Sequence, residues 1–110
     1  MNEPRVSVCQ EAEEITNGVR QKDYGHPLHN FTLTANLLNV TFGSKLHAPF
    51  TPEDIPLLMI QLKIARELHK PKRDNLVDIA GYANTAGMVQ EELRKQRISE
   101  AKLPEVKYKP

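Results

Sequence analysis

The chain has 110 residues, 15 Lys and Arg against 14 Asp and Glu, and a formal charge of +1. This length fits one domain with a modest core, and so small a cationic surplus excludes a broadly basic surface that would neutralise nucleic-acid phosphates. The apolar share, counted with glycine, lies slightly under the roughly 45–50% of ordinary globular domains, which predicts a polar tail or a core completed by a second chain.

Residues 1–10 carry Glu3 and Pro4 where a secretory signal would place a basic flank and an apolar run, so no such signal is expected. Cys9 is the only cysteine, which excludes an internal disulfide or a cysteine-cluster zinc site and fits a reducing, cytoplasmic setting. Val8, Ala12, Ile15 and Val19 recur on one stripe and predict a first amphipathic helix over about residues 5–20. The loop 21–27 contains Asp23, Tyr24, Gly25, His26 and Pro27. Pro27 suits a first helical position and predicts a second helix to about residue 42, with Phe31, Leu33, Ala35, Leu37, Leu38 and Val40 apolar.

After a connector over residues 43–50, Thr51 can cap, Pro52 fits the first helical position, and Glu53 and Asp54 suit the positive end of a helix dipole. In the third helix Leu57, Leu58, Ile60, Leu62, Ile64, Ala65 and Leu68 cover most of the circumference, predicting a central helix with several neighbours. Its longest apolar stretch, residues 55–62, is broken by Pro56 and Gln61 and falls short of the roughly 20 residues of a membrane span. Lys70 and Pro71 stop it.

Asp74 opens a fourth helix expected to reach about residue 97. Leu76, Ile79, Ala80, Ala83, Ala86 and Leu93 form its apolar side, and Asp74, Asp78, Gly81, Tyr82 and Thr85 lie opposite. Residues 94–110 hold 6 Lys and Arg against 2 acidic residues, whereas residues 1–93 hold 9 against 12. The near-neutral total thus averages an acidic body over residues 1–93 and a basic stretch over 94–110; the helical domain is expected over residues 1–97 and a flexible basic tail over 98–110, the tail offering at most weak, salt-sensitive contact with an anionic partner.

Four groups of residues could carry chemistry. Asp74 and Asp78, at i and i+4, present two carboxylates on one face, a pattern that suits Mg²⁺ and is equally that of an N-cap beside an ion pair. Glu11 and Glu14 on the first helix could complete a four-carboxylate cluster around cations, or form part of a solvated face. Lys63 and Arg66, extended by Lys70, make a basic stripe suited to phosphate; in the plainer alternative Lys63 pairs with Glu67 and Arg66 neutralises Asp78. Tyr24 can stack on a base and His26 can bond a phosphate, although histidines in loops also serve as caps.

Taken in order, Lys22-Asp23-Tyr24-Gly25-His26-Pro27, Asn30-Phe31, Lys63-Ile64-Ala65-Arg66 and Asp74 through Asp78-Ile79-Ala80-Gly81-Tyr82-Ala83 resemble a family of small, uncharacterised phage and prophage proteins. The resemblance covers about residues 11–92. More distantly the order resembles phage nucleotide-modification-associated domains and, more loosely, the all-α MazG-type nucleotide pyrophosphohydrolases, which hold Mg²⁺ on E-x-x-E and E-x-x-D helices. Glu11 and Glu14 match the first motif; Asp74 and Asp78 depart from the second in residue and spacing.

The expectation is an all-α bundle of four to five helices, forming a homo-oligomer and acting on nucleotides in the host cytoplasm. The MazG likeness implies Mg²⁺-dependent release of pyrophosphate from a nucleoside triphosphate. Glu11, Glu14, Asp74 and Asp78 would hold metal, Lys63 and Arg66 phosphate, and Tyr24, His26 and Tyr82 the base or sugar. The alternative is a non-catalytic accessory protein that sequesters a nucleotide or occupies a host protein.

Overall fold

Each helix begins where the chain supplies partners for its first amides. The computed structural model describes residues 6–18, 21–22 and 25–108, with side chains to Ala101. Helix α1 spans Val8–Asn17 and opens on a capping box: Gln10 N–H donates to Ser7 Oγ at 3.0 Å and Ser7 N–H to Gln10 Oε1 at 2.9 Å. This cap starts the helix at Val8 rather than near residue 5. Helix α2, Pro27–Phe42, begins at the expected proline, with His26 Nδ1 accepting from the Leu28 amide at 3.1 Å. A 3₁₀ turn at Gly43–Lys45 follows.

Helix α3, Asp54–His69, starts later than the Thr51 cap predicts. Pro56 is the reason: it lacks an N–H, and a start at Asp54 places it among the first amides that have no helical partner. Asp54 Oδ2 instead accepts from the Thr51 amide at 2.8 Å and its hydroxyl at 3.1 Å, closing the turn that leads into the helix. The stop before Lys70 and Pro71 falls as expected. Helix α4, Arg73–Tyr108, passes residue 97 instead of ending there; Ala101, Lys102 and Leu103 are good helix formers.

The fold among the described residues is entirely helical, without strands. No described helix is long and apolar enough to cross a membrane. Helix α4 is the hub: α1 and α3 both pack along it, and α2 closes against α3 and α4. At 1.5 Å per residue its 36 residues span about 54 Å, most of the 71 Å long dimension. The central helix is therefore α4, and the expectation of a central third helix is corrected. On α3 only Ile55 and Pro56 are buried, while Leu57, Leu62, Ile64 and Leu68 face outward.

The main core joins Phe31 and Ala35 of α2, Ile55 of α3 and Val89 of α4, flanked by Leu28, Leu38, Phe50, Met59, Tyr82 and Leu93. A second contact sets α1 on α4 through Ala12, Thr16 and Gly81. A Cβ on Gly81 would lie 3.4 Å from Thr16 Cγ2 and 4.0 Å from Ala12 Cβ, so α1 leaves room here for a methyl group but little more. Asn84 Nδ2 donates to Thr16 Oγ1 at 2.6 Å, and that hydroxyl donates to the Ala12 carbonyl at 2.9 Å. Gly81, packed against α1, and Thr85 are buried although they lie opposite the side expected to be apolar, and Leu76 and Ala83 of that expected side are exposed. On α1 the buried pair is Ala12 and Thr16, whereas Ile15 is exposed.

Candidate ligand pocket between α1, α2 and α4

The small residues that let α1 approach α4 do not fill the space where α2 enters. A cavity of about 260 Å³ remains, walled by Ala12, Ile15 and Thr16 of α1, by Gln21, Gly25, Pro27, Asn30 and Phe31 before and within α2, and by Val77, Asp78, Gly81, Tyr82 and Thr85 of α4. Gly25 adopts φ 77°, a left-handed conformation open to glycine without strain, and so turns the chain at the cavity rim. Thr85 donates its hydroxyl to the Tyr82 carbonyl at 3.0 Å.

The cavity is apolar with a few convergent polar groups, the usual composition of a small-molecule site. Phe31 and Tyr82 offer aromatic surface. The amides of Gln21 and Asn30 can donate and accept, and Asp78 is the lining carboxylate. Lys63 Nζ reaches Asp78 Oδ2 at 2.8 Å from α3, with the lysine side chain 15% and the aspartate 41% exposed. The lining acid thus has its counter-ion behind it, on α3, outside the cavity wall. The described lining residues include no histidine or cysteine; their titratable groups are the Asp78 carboxyl and the Tyr82 phenol.

The residues singled out in the sequence are divided by the fold. Asp78 and Tyr82 line the cavity, and Lys63 stands behind Asp78. Glu11 is turned to Arg73, whose Nε and Nη2 donate to Glu11 Oε1 at 3.2 and 3.1 Å, while Nη2 also donates to the Val6 carbonyl at 2.7 Å. Glu14 and Asp74 are exposed, as is Arg66. His26 is the α2 cap and borders a separate groove shared by His29, Asn36, Glu92 and Gln96. Tyr24 and Asp23 lie outside the described residues.

Among the described residues no group of three or more His, Cys, Asp or Glu side chains is placed to hold a metal ion. In this arrangement Glu11 is paired with Arg73 and Asp78 with Lys63, while Glu14 and Asp74 are exposed. The pairing also differs from the plainer expectation. Glu67 accepts from the Lys72 amide at 3.0 Å and from Asn75 Nδ2 at 3.1 Å, leaving Lys63, not Arg66, to meet Asp78. Thr16, Gln21 and Asn30 were not anticipated as site residues; the sequence signal for the cavity was the small pair Gly81 and Thr85 beside Asp78.

Residues 7–90 match the family model described as a domain of unknown function, DUF6378. The Gene 55 protein of Mycobacterium phage L5 is 42% identical over 86 residues, covering 77% of this chain and 53% of that protein. The Gene 55 protein of Mycobacterium phage D29 is 38% identical over 87 residues, covering 78% and 55% respectively. The chain spans about half the length of these curated relatives. No solved structure matches it. The matched region contains every residue that walls the cavity.

Proposed function

Starting from the fact that the chain belongs to the DUF6378 family, we propose that it is a phage nucleotide-binding protein acting in the host cytoplasm and that it holds its ligand without hydrolysing it. The observation that carries this reading is the α1–α2–α4 cavity, where aromatic rings, two amides and a lysine-paired carboxylate converge. Its volume of about 260 Å³ lies at the small end of ligand sites, which run to roughly 300–1,000 Å³. It suits a base or base and sugar, with phosphates outside near Lys63. Phe31 and Tyr82 would contact the base, Asp78 would accept from its N–H edge, and Asn30 would complement a carbonyl or amino group.

The MazG likeness would add Mg²⁺-dependent pyrophosphate release, and the donor set described above does not support that step. Thermal shift and calorimetry against nucleosides, nucleoside monophosphates and triphosphates, with EDTA or with Mg²⁺, separate the two. Binding that persists in EDTA without product supports sequestration. Pyrophosphate appearing only with Mg²⁺ would overturn it in favour of the hydrolase, and no response to any nucleoside or nucleotide would overturn both.

A second reading, occupation of a host protein, is favoured by the outward stripe of Leu33, Leu37 and Val40 on α2, exposed by 59%, 59% and 85%. It gains ground if no nucleotide binds and Leu37→Lys abolishes capture of one defined host protein.

A further inference from the structure

We infer that the outward face of α3 is the contact surface for a second copy of this chain, the two helices packing antiparallel about a two-fold axis near Gln61. Leu57, Gln61, Ile64 and Leu68 follow i, i+4, i+7 and i+11, the seam of a helix that packs along its length on another. The three apolar members are 56%, 45% and 82% exposed. The opposite side of α3 already rests on α4, and among the described residues no other element covers this face.

Three observations select a second copy as the occupant. With its neighbours Leu58, Leu62 and Ala65, all exposed, the stripe makes one continuous apolar face along α3, the kind of surface that marks a contact. The charges at its ends are self-complementary. Glu53 and Asp54 stand at the amino end, and His69 and Lys70 at the carboxyl end. Antiparallel pairing sets each acidic end against the partner's basic end and opposes the helix dipoles, whereas parallel pairing would set like against like. Gln61 lies at the midpoint of α3, where a two-fold axis brings it against its own copy. An amide is both donor and acceptor, so two glutamines related by the axis satisfy each other.

Sedimentation of the full chain tests this. The expected result is twice the monomer mass of 12.5 kDa at micromolar concentration. Leu68→Lys, at a side chain already 82% exposed, should weaken association roughly tenfold or more with an unchanged helical circular-dichroism signal. In a Cys9→Ser background, Gln61→Cys should form a disulfide-linked dimer under mild oxidation. A monomeric wild-type chain would overturn the inference. So would a dimer indifferent to Leu68→Lys but dissolved by Leu37→Lys on α2, and a dimer that Gln61→Cys fails to cross-link would overturn the antiparallel geometry.

Discussion

Gly81 offers the most direct test of how the cavity is built. In a helix interior, alanine is favoured over glycine by about 1 kcal/mol. At this position the new Cβ would sit 3.4 Å from Thr16 Cγ2 and 4.0 Å from Ala12 Cβ, which is van der Waals contact rather than collision. Gly81→Ala should therefore keep most of that gain and raise the melting temperature by a few degrees, given about 4–8 °C per kcal/mol for a domain near this size. Gly81→Val is different. Its two branches extend from the same Cβ towards α1, and the stiff rotamer of a β-branched residue in a helix cannot turn both away. Overpacking of this kind costs about 1–3 kcal/mol. Urea unfolding followed by circular dichroism would place the alanine variant at or above wild type and the valine variant clearly below it, and the valine variant should lose its ligand-induced thermal shift. If valine proves as stable as alanine, α1 does not lie against α4 as described, and the cavity wall fails with it.

Further tests address single interactions. Asn39 receives the Phe50 amide at 2.7 Å and donates to its carbonyl at 3.0 Å, so Asn39→Ala should destabilise by about 1–3 kcal/mol in urea unfolding; a loss below about 0.5 kcal/mol would show that the connector is held otherwise. Lys63 and Asp78 should give a coupling of no more than about 1 kcal/mol in a double-mutant cycle, because the aspartate is 41% exposed, yet Lys63→Met should weaken nucleotide binding several-fold; equal affinities would remove Lys63 from the site. The Glu91 carboxyl is held below its ordinary value by the hydrogen bond from Arg94. NMR titration should show its midpoint rising in Arg94→Gln, and any stability from the pair is present above the ordinary carboxylate range and lost as pH falls through the lowered value. An unmoved midpoint contradicts that cause.

Prolines made the helix limits legible. Pro27 marked the start of α2 and Pro71 the stop of α3, because a missing N–H and a fixed φ act locally. The same rule applied to Pro56 would have moved the start of α3 to Asp54, and the Ser7–Gln10 capping box was equally present in the sequence. Burial was harder to see. Periodicity says that a face is apolar without saying what covers it, so α3, apolar nearly all round, looked like the centre of the bundle when its outer half is bare. Of Asp74, Asp78, Gly81, Tyr82 and Thr85, grouped on one face by their spacing, the last four line the pocket, whereas Asp74 is exposed. The ion pairs were not legible. Local spacing joined Lys63 to Glu67, but the tertiary corner at Asn75 draws Glu67 away, and the rotation of α1 that delivers Glu11 to Arg73 leaves no trace in the sequence.

Among the described helices α1 touches α4 alone. Its ten residues are fewer than an isolated helix needs to persist in water, so it stays folded only while docked. Undocking would give up the Thr16–Asn84 and Glu11–Arg73 contacts but leave the core of Phe31, Ala35, Ile55 and Val89 intact, making α1 a separate opening unit of lower free energy than global unfolding. Because α1 is also one wall of the cavity, its amides would exchange with solvent in the same event that frees a bound molecule. Residence time in the pocket would then follow how often this one helix lets go rather than the strength of any single contact.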